Sequence, residues 1–168
     1  MRLGTMHTPA RSAAVLLAFC LPAFAGQKFN YPQDSPIFSI TYPESWTVEA
    51  EEQTISAGRS DGAASSVLMA LDAQDLEAAI DASAQALGES FADFTADGDP
   101  QQAEVNGLGV VLMNGTGEVE GSGKVKVNVA IFTPDAEKFF MLLLFAPEGV
   151  AGENTDEINS LLKSITKE

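Results

Sequence analysis

An α+β fold, in which a mainly antiparallel sheet is flanked by helices on both faces, is what this sequence predicts from three observations. Beyond residue 36 most of the chain alternates apolar and polar residues in short runs, divided by turns rich in Gly, Pro, Asn and Asp. Two segments, around 76–87 and 158–165, switch to helical spacing. Consecutive strand-like runs are joined by turns too short for a crossover, so sequence neighbours become antiparallel neighbours in space.

The first 25 residues stand outside this pattern. Arg2 and Arg11 form a positive front, and AAVLLAFCLPAF (13–24) is an apolar run of signal-core length. Ala23-Phe24-Ala25 supplies a small-residue cleavage pattern, so residues 1–25 read as a cleaved signal peptide and the mature chain is expected from Gly26. The run is shorter than the roughly 20 apolar residues of a membrane span and is interrupted by Pro22, so no stable span is expected after cleavage. Bulky Phe19 before Cys20 argues against lipidation there. The expected destination is the periplasm or the exterior.

Residues 26–168 read as one domain without repeats or a dividing linker. QKFNYPQDSP (27–36) is an extended entry, kept from helix by Pro32 and Pro36. IFSITY (37–42), WTVEA (46–50), TISAG (54–58) and SSVLMALD (65–72) follow as strands, with turns at Pro43-Glu44-Ser45 and Asp61-Gly62. Leu76, Ala79, Ile80, Ser83, Ala84 and Leu87 then fall on one helical face, with Asp72 or Asp75 as start and Gly88 as stop. ESFADFTADGDP (89–100) leads back to strand. QQAEV (101–105) reaches Asn106-Gly107, a hairpin signal, and LGVVLMNGTGEVE returns from it.

After the turn at 121–123, KVKVNVAIFT alternates Lys124, Lys126 and Asn128 with Val125, Val127 and Val129. KFFMLLLFA (138–146) is nearly all apolar, which predicts a strand covered on both faces. The last helix carries a stripe of Ile158, Leu161, Leu162 and Ile165, and Asn154 with Glu157 fits a capping box.

Composition narrows the chemistry. The sole Cys (Cys20) and the sole His (His7) lie in the leader, so cleavage leaves neither thiol nor imidazole. Disulfides, thiolate nucleophiles, His general bases and Cys/His zinc sites go with them. Without Arg2 and Arg11, seven basic side chains face 24 acidic ones, a net charge of −17. Such a chain repels nucleic acid and anionic membranes; solubility explains the acidity, and a basic partner or divalent cation is the sharper alternative.

Few residues suggest a site. Trp46, the only Trp, either plugs the core with a partly exposed edge or rims a cleft. Asp93, Asp97 and Asp99 beside Gly98 are candidate ligands for a hard cation, though without EF-hand spacing; the alternative is a solvated acidic loop. NGTGEVEGSG (114–123) lacks the Lys and Ser/Thr of a phosphate loop, and flexible hairpin glycines explain it. Glu118 and Glu120 share a strand face, yet nothing apolar nearby would raise one pKa for acid–base work. The FFMLLLF stripe is core, and any pocket is expected between it and a helix, lined by Phe, Met and Leu. No catalytic residue and no cofactor motif stand out.

FSITYPESW, the helix opening DLEAAI, VNGLGVVLMNGTGE before a long strand pair, and the final LLKSI together resemble the PsbP-like superfamily, including its DcrB-like bacterial members. The resemblance spans about residues 30–167. It implies an antiparallel sheet flanked by helices on both sides, and an accessory or binding role rather than catalysis. The Pro-x-x-Trp turn at Trp46 recurs in that family and favours the structural reading. The function expected is therefore an exported, non-catalytic module that binds another envelope protein, with small-molecule or divalent-cation binding as the alternative.

Overall fold

The computed structural model describes residues 26–135 and 137–168, the side chains of 153–155 excepted. The expected leader and the Asn154 half of the expected capping box lie outside the described part. In chain order the elements are β1 (Gly26–Tyr31), β2 (Phe38–Pro43), β3 (Trp46–Ala50), β4 (Thr54–Arg59), β5 (Ser65–Leu71), α1 (Leu76–Ser90) and β6 (Ala92–Ala96). There follow β7 (Gln101–Val105), β8 (Leu108–Val119), β9 (Gly123–Asp135), β10 (Lys138–Pro147), a 3-10 turn (Ala151–Asn154), α2 (Thr155–Lys163) and β11 (Thr166–Lys167).

The strands form two sheets. The larger has the order β3-β4-β5-β10-β9-β8-β6, with β7 also on β8, and the smaller is β1-β2-β11. Every described ladder is antiparallel. The α+β class is therefore as the sequence reads. The Asn106-Gly107 hairpin forms between β7 and β8, with positive φ at both residues (51° and 79°) as such a turn requires.

Alternation along the central strands makes two cores. Phe132, Phe140, Leu142 and Leu144 face one way, against Phe38, Ile40 and Tyr42 of β2 and Ile158 and Leu161 of α2. Val127, Val129, Ile131, Met141 and Leu143 face the other, against Ala79 and Leu87 of α1 and Phe91. The apolar run on β10 is thus buried on both sides, as its composition requires. The first face departs from a cover of helix alone, because the small sheet shares it with α2. The cause is β2, whose six residues are nearly all buried and leave no side for solvent.

Both helices end away from their expected stops. The α1 N-cap is Asp75, which accepts from Ala78 N at 2.8 Å, but the helix runs through Gly88 to Ser90. An interior Gly costs about 1 kcal/mol, tolerable where the exit is set by Phe91, whose backbone is extended and whose ring is buried. The α2 helix stops at Lys163, so Ile165 is buried from the link to β11 rather than from the helix. Gly115 and Gly117 of β8, expected as flexible hairpin glycines, are required by close packing instead. A Cβ on Gly115 would lie 2.6 Å from Thr95 O, and one on Gly117 would lie 2.8 Å from Phe91 Cβ, so β6 and its aromatic lead-in pack where only hydrogen fits.

Candidate functional site

The face of the sheet that looks toward α2 changes character along its length. At one end Phe38 packs edge-on against Phe132 and Phe140, with ring centroids 5.1 and 4.8 Å apart. Further along the same face the inward positions become Leu112 then Asn114 on β8, Ala130 then Asn128 then Lys126 on β9, and Leu144 then Ala146 on β10. Asn114 lies directly opposite Asn128 in register, and Asn128 opposite Leu144.

Over these residues lies a cavity of about 270 Å³, roofed by Ile158, Asn159 and Leu162 of α2. Its mouth is formed by Asp97, Gly98 and Asp99 from the β6–β7 connection and by Gln101, the first residue of β7. That connection is fixed to β8 by the Asp97 N–H, which donates to Asn114 O at 2.9 Å. An adjoining groove of about 440 Å³ shares Asp97, Asn114, Asn128, Ile158 and Asn159 and continues to Lys126, Ala146 and Glu148. Lys126 Nζ stands 4.0 Å from Asp97 Oδ2. Among the described residues the side-chain amides of exposed Gln101, Asn114 and Asn159 and of half-buried Asn128 make no hydrogen bond within the protein.

The acidic candidates divide. Asp97 and Asp99 share the groove's mouth, whereas Asp93 lines a separate depression with Thr116, Glu118 and Lys124. Asp93 has φ 52° at the irregularity of β6 between Ala92 and Thr95, a backbone conformation Asp tolerates better than most residues. Among the described residues no group of three or more His, Cys, Asp or Glu is placed to hold a metal. Glu118 sits opposite Lys124 on β9, and Glu120 lies in the turn beyond β8 rather than on the strand with it.

Trp46 is a plug, and a more complete one than the sequence implies. The residue is 2% exposed, its ring is tilted against Tyr42, and its Nε1–H donates to Glu157 Oε1 at 3.0 Å. Arg59 donates to the other oxygen of that carboxylate at 3.3 Å. The Glu157 carboxylate, expected to close a capping box, is thus turned across to β3 and β4. A buried indole N–H needs an acceptor, and this is where it finds one.

The pocket expected beside the FFMLLLF strand is found on both faces with different linings. The groove under α2 takes only Leu144 and Ala146 from β10, and its other walls mix amides and carboxylates with Leu112, Ile158 and Leu162, with neither Phe nor Met. A second cavity of about 290 Å³ lies on the opposite face, lined by Leu76, Val111, Ile131 and Phe139. The amide groove was not foreseen. Its one sequence signal is the pair Asn114 and Asn128, since Asn is depleted in strands.

The fold has solved counterparts. The solution structure of cyanobacterial PsbP (CyanoP) from Synechocystis sp. PCC 6803 superposes with a TM-score of 0.63 at 10% identity, covering 96% of this chain and 100% of that one. The chain has a PsbP-like fold. PA94 from Pseudomonas aeruginosa, described as a protein of unknown function and putative regulator, matches with a TM-score of 0.50 at 9% identity, over 83% of this chain and 94% of its own. LpqN, described as involved in cell envelope biogenesis of Mycobacterium tuberculosis, matches with a TM-score of 0.49 at 17% identity, over 86% of each chain. No family model and no curated protein matches the sequence. Among the described residues no helix is long and apolar enough to cross a membrane.

Proposed function

We propose that residues 26–168 form a single exported, non-catalytic accessory module, freed from a leader at 1–25, that binds another protein of the cell envelope through the groove under α2. In this reading the layers are α1, the large sheet and α2 with its small sheet, and the module works outside the cytoplasm. The leader pattern supports export, and the lack of Cys and His after residue 25 supports a binding role over nucleophilic or imidazole catalysis. One observation carries the reading: the side-chain amides of Gln101, Asn114, Asn128 and Asn159 line one groove and make no hydrogen bond within the protein, which leaves them open to a guest.

The test is a photo-crosslinking amino acid placed at Asn159 in the groove or, as control, at exposed Gln85 on α1. A discrete protein adduct from position 159 alone, in the exported fraction, is the expected result. Equal adducts from both positions, or none, would overturn the reading. Sequencing of the exported protein is expected to begin at Gly26.

A second reading, divalent-cation binding, is favoured by Asp97 and Asp99 sharing the groove's mouth. It requires that Ca²⁺ or Mn²⁺ raise the melting temperature and that Asp99→Asn abolish the rise.

A further inference from the structure

We infer that the groove under α2 takes an extended peptide segment carrying Lys or Arg side chains, an assignment that rests on the protein-binding reading above. The first argument is shape. The groove runs along the strands past 112–115 on β8, 126–129 on β9 and 144–146 on β10, with Glu148 just beyond that strand. Four strand residues at roughly 3.3 Å each span about 13 Å, the length of three or four extended residues. Its floor is a sheet face, so the guest lies over the ladder and does not join it.

The second argument is hydrogen-bonding chemistry. A side-chain amide offers donors and an acceptor on one plane, the complement of the single donor and acceptor that each backbone peptide unit presents. Asn114 and Asn128 face each other across the ladder, about 5 Å apart by strand geometry, with Gln101 and Asn159 on the rim. Asn114 is exposed and Asn128 half-buried beside Leu112, Ala130 and Leu144 on the same sheet face, so both amides are accessible to a guest over the ladder.

The third argument is charge. Asp97, Asp99 and Glu148 line the groove, and the lining cation Lys126 already stands near Asp97. With 24 acidic side chains against nine basic in the whole chain, a phosphorylated or carboxylate guest is repelled and a cationic one attracted. A neutral saccharide could also satisfy amides, but no aromatic ring lines the groove to take a sugar's apolar face.

Binding of fluorescein-labelled acetyl-(Ala-Lys)₃-amide to the purified full chain tests this. Saturable binding is expected, with the matching Ala-Glu peptide at least about tenfold weaker and the affinity falling as NaCl rises. Asn114→Ala with Asn128→Ala should weaken binding about tenfold at unchanged melting temperature. Should that double variant not fold, Asp99→Asn decides instead: about threefold weaker binding supports the inference and unchanged binding overturns it. Displacement of the peptide by maltotriose would also overturn it, in favour of a sugar site. If the Lys peptide does not bind while position 159 still yields its adduct, the peptide assignment fails and the protein-binding reading stands. If both fail, so does that reading.

Discussion

Tyr42 has no exposed surface, and its hydroxyl and that of its neighbour Ser66 are both buried without a hydrogen-bond partner. Burial pushes the phenol up to about 12; the nearby Ser66 hydroxyl opposes this only weakly, since the two oxygens miss hydrogen-bonding geometry. The sign of the consequence follows from linkage. Because the folded pKa lies above the unfolded value of about 10, the stability it represents is complete below pH 10 and is lost as pH climbs toward 12. The loss approaches about 3 kcal/mol by the upper limit. Urea midpoints measured at pH 9, 10.5 and 11.5 should therefore fall steeply for the native chain and less steeply for Tyr42→Phe. Tyr31, also raised by burial, accounts for part of the remaining slope. Equal slopes would mean that Tyr42 ionises freely in the folded protein. None of this is visible in FSITYPESW, where Tyr42 reads as one more alternating residue. The hydroxyl is buried beside Ser66 of β5, a strand of the other sheet.

Nine residues are too few for α2 to persist alone, so what holds it must be tertiary. At its start Glu157 accepts from Trp46 and Arg59; past its end Asn106 Nδ2 donates to Lys163 O at 2.7 Å and to Ile165 O at 2.8 Å. Substitutions at Glu157 separate the contributions of its two partners. Glu157→Gln keeps an oxygen for the indole and gives up only the partly exposed ion pair with Arg59, so it should cost less than about 1 kcal/mol. Glu157→Ala strands a buried N–H and should cost about 1–3 kcal/mol. Urea unfolding followed by the fluorescence of Trp46, the only Trp, separates the two; equal costs would show that the indole bond contributes nothing. Elements were legible wherever period and turn chemistry agreed, as at β10, the β7–β8 hairpin and Ala79, Ser83 and Leu87 of α1, whereas Leu76 and Ala84 of the expected α1 face are exposed. The ends of α1 and α2 were not, because Phe91 and β11 set them through contacts with distant strands. Glu157 looked like a cap because its spacing from Asn154 is right, and only the fold brings Trp46 within its reach.

The small sheet and the groove belong to the whole molecule, which is why the sequence concealed both. Thr166 and Lys167 carry no strand pattern; they pair with Ser39 and Phe38 because α2 delivers them there. The groove needs β8, β9, β10, α2 and the β6–β7 connection at once, and Asn128 in KVKVNVAIFT reads simply as a solvent position. Charge, by contrast, is a whole-molecule property that the sequence does disclose. A chain of net charge −15 repels itself when compact, and salt relieves that repulsion. Salt also weakens the ion pairs Lys28–Glu168 and Arg59–Asp61, each 2.7 Å long. Lys28 and Asp61 are more than half exposed, so both pairs are worth little, and the long-range term should win. Raising NaCl from about 0.01 to 0.15 M shortens the screening length from roughly 30 to 8 Å, below the spacing of most surface charges. The melting temperature should then rise by several degrees, since about 1 kcal/mol moves a domain of this size by roughly 2–8 °C. Most of the rise should come before 0.1 M, because close pairs remain coupled where distant ones no longer are. A melting temperature that falls over this range would mean that the local pairs, not the net charge, dominate the electrostatics of this fold.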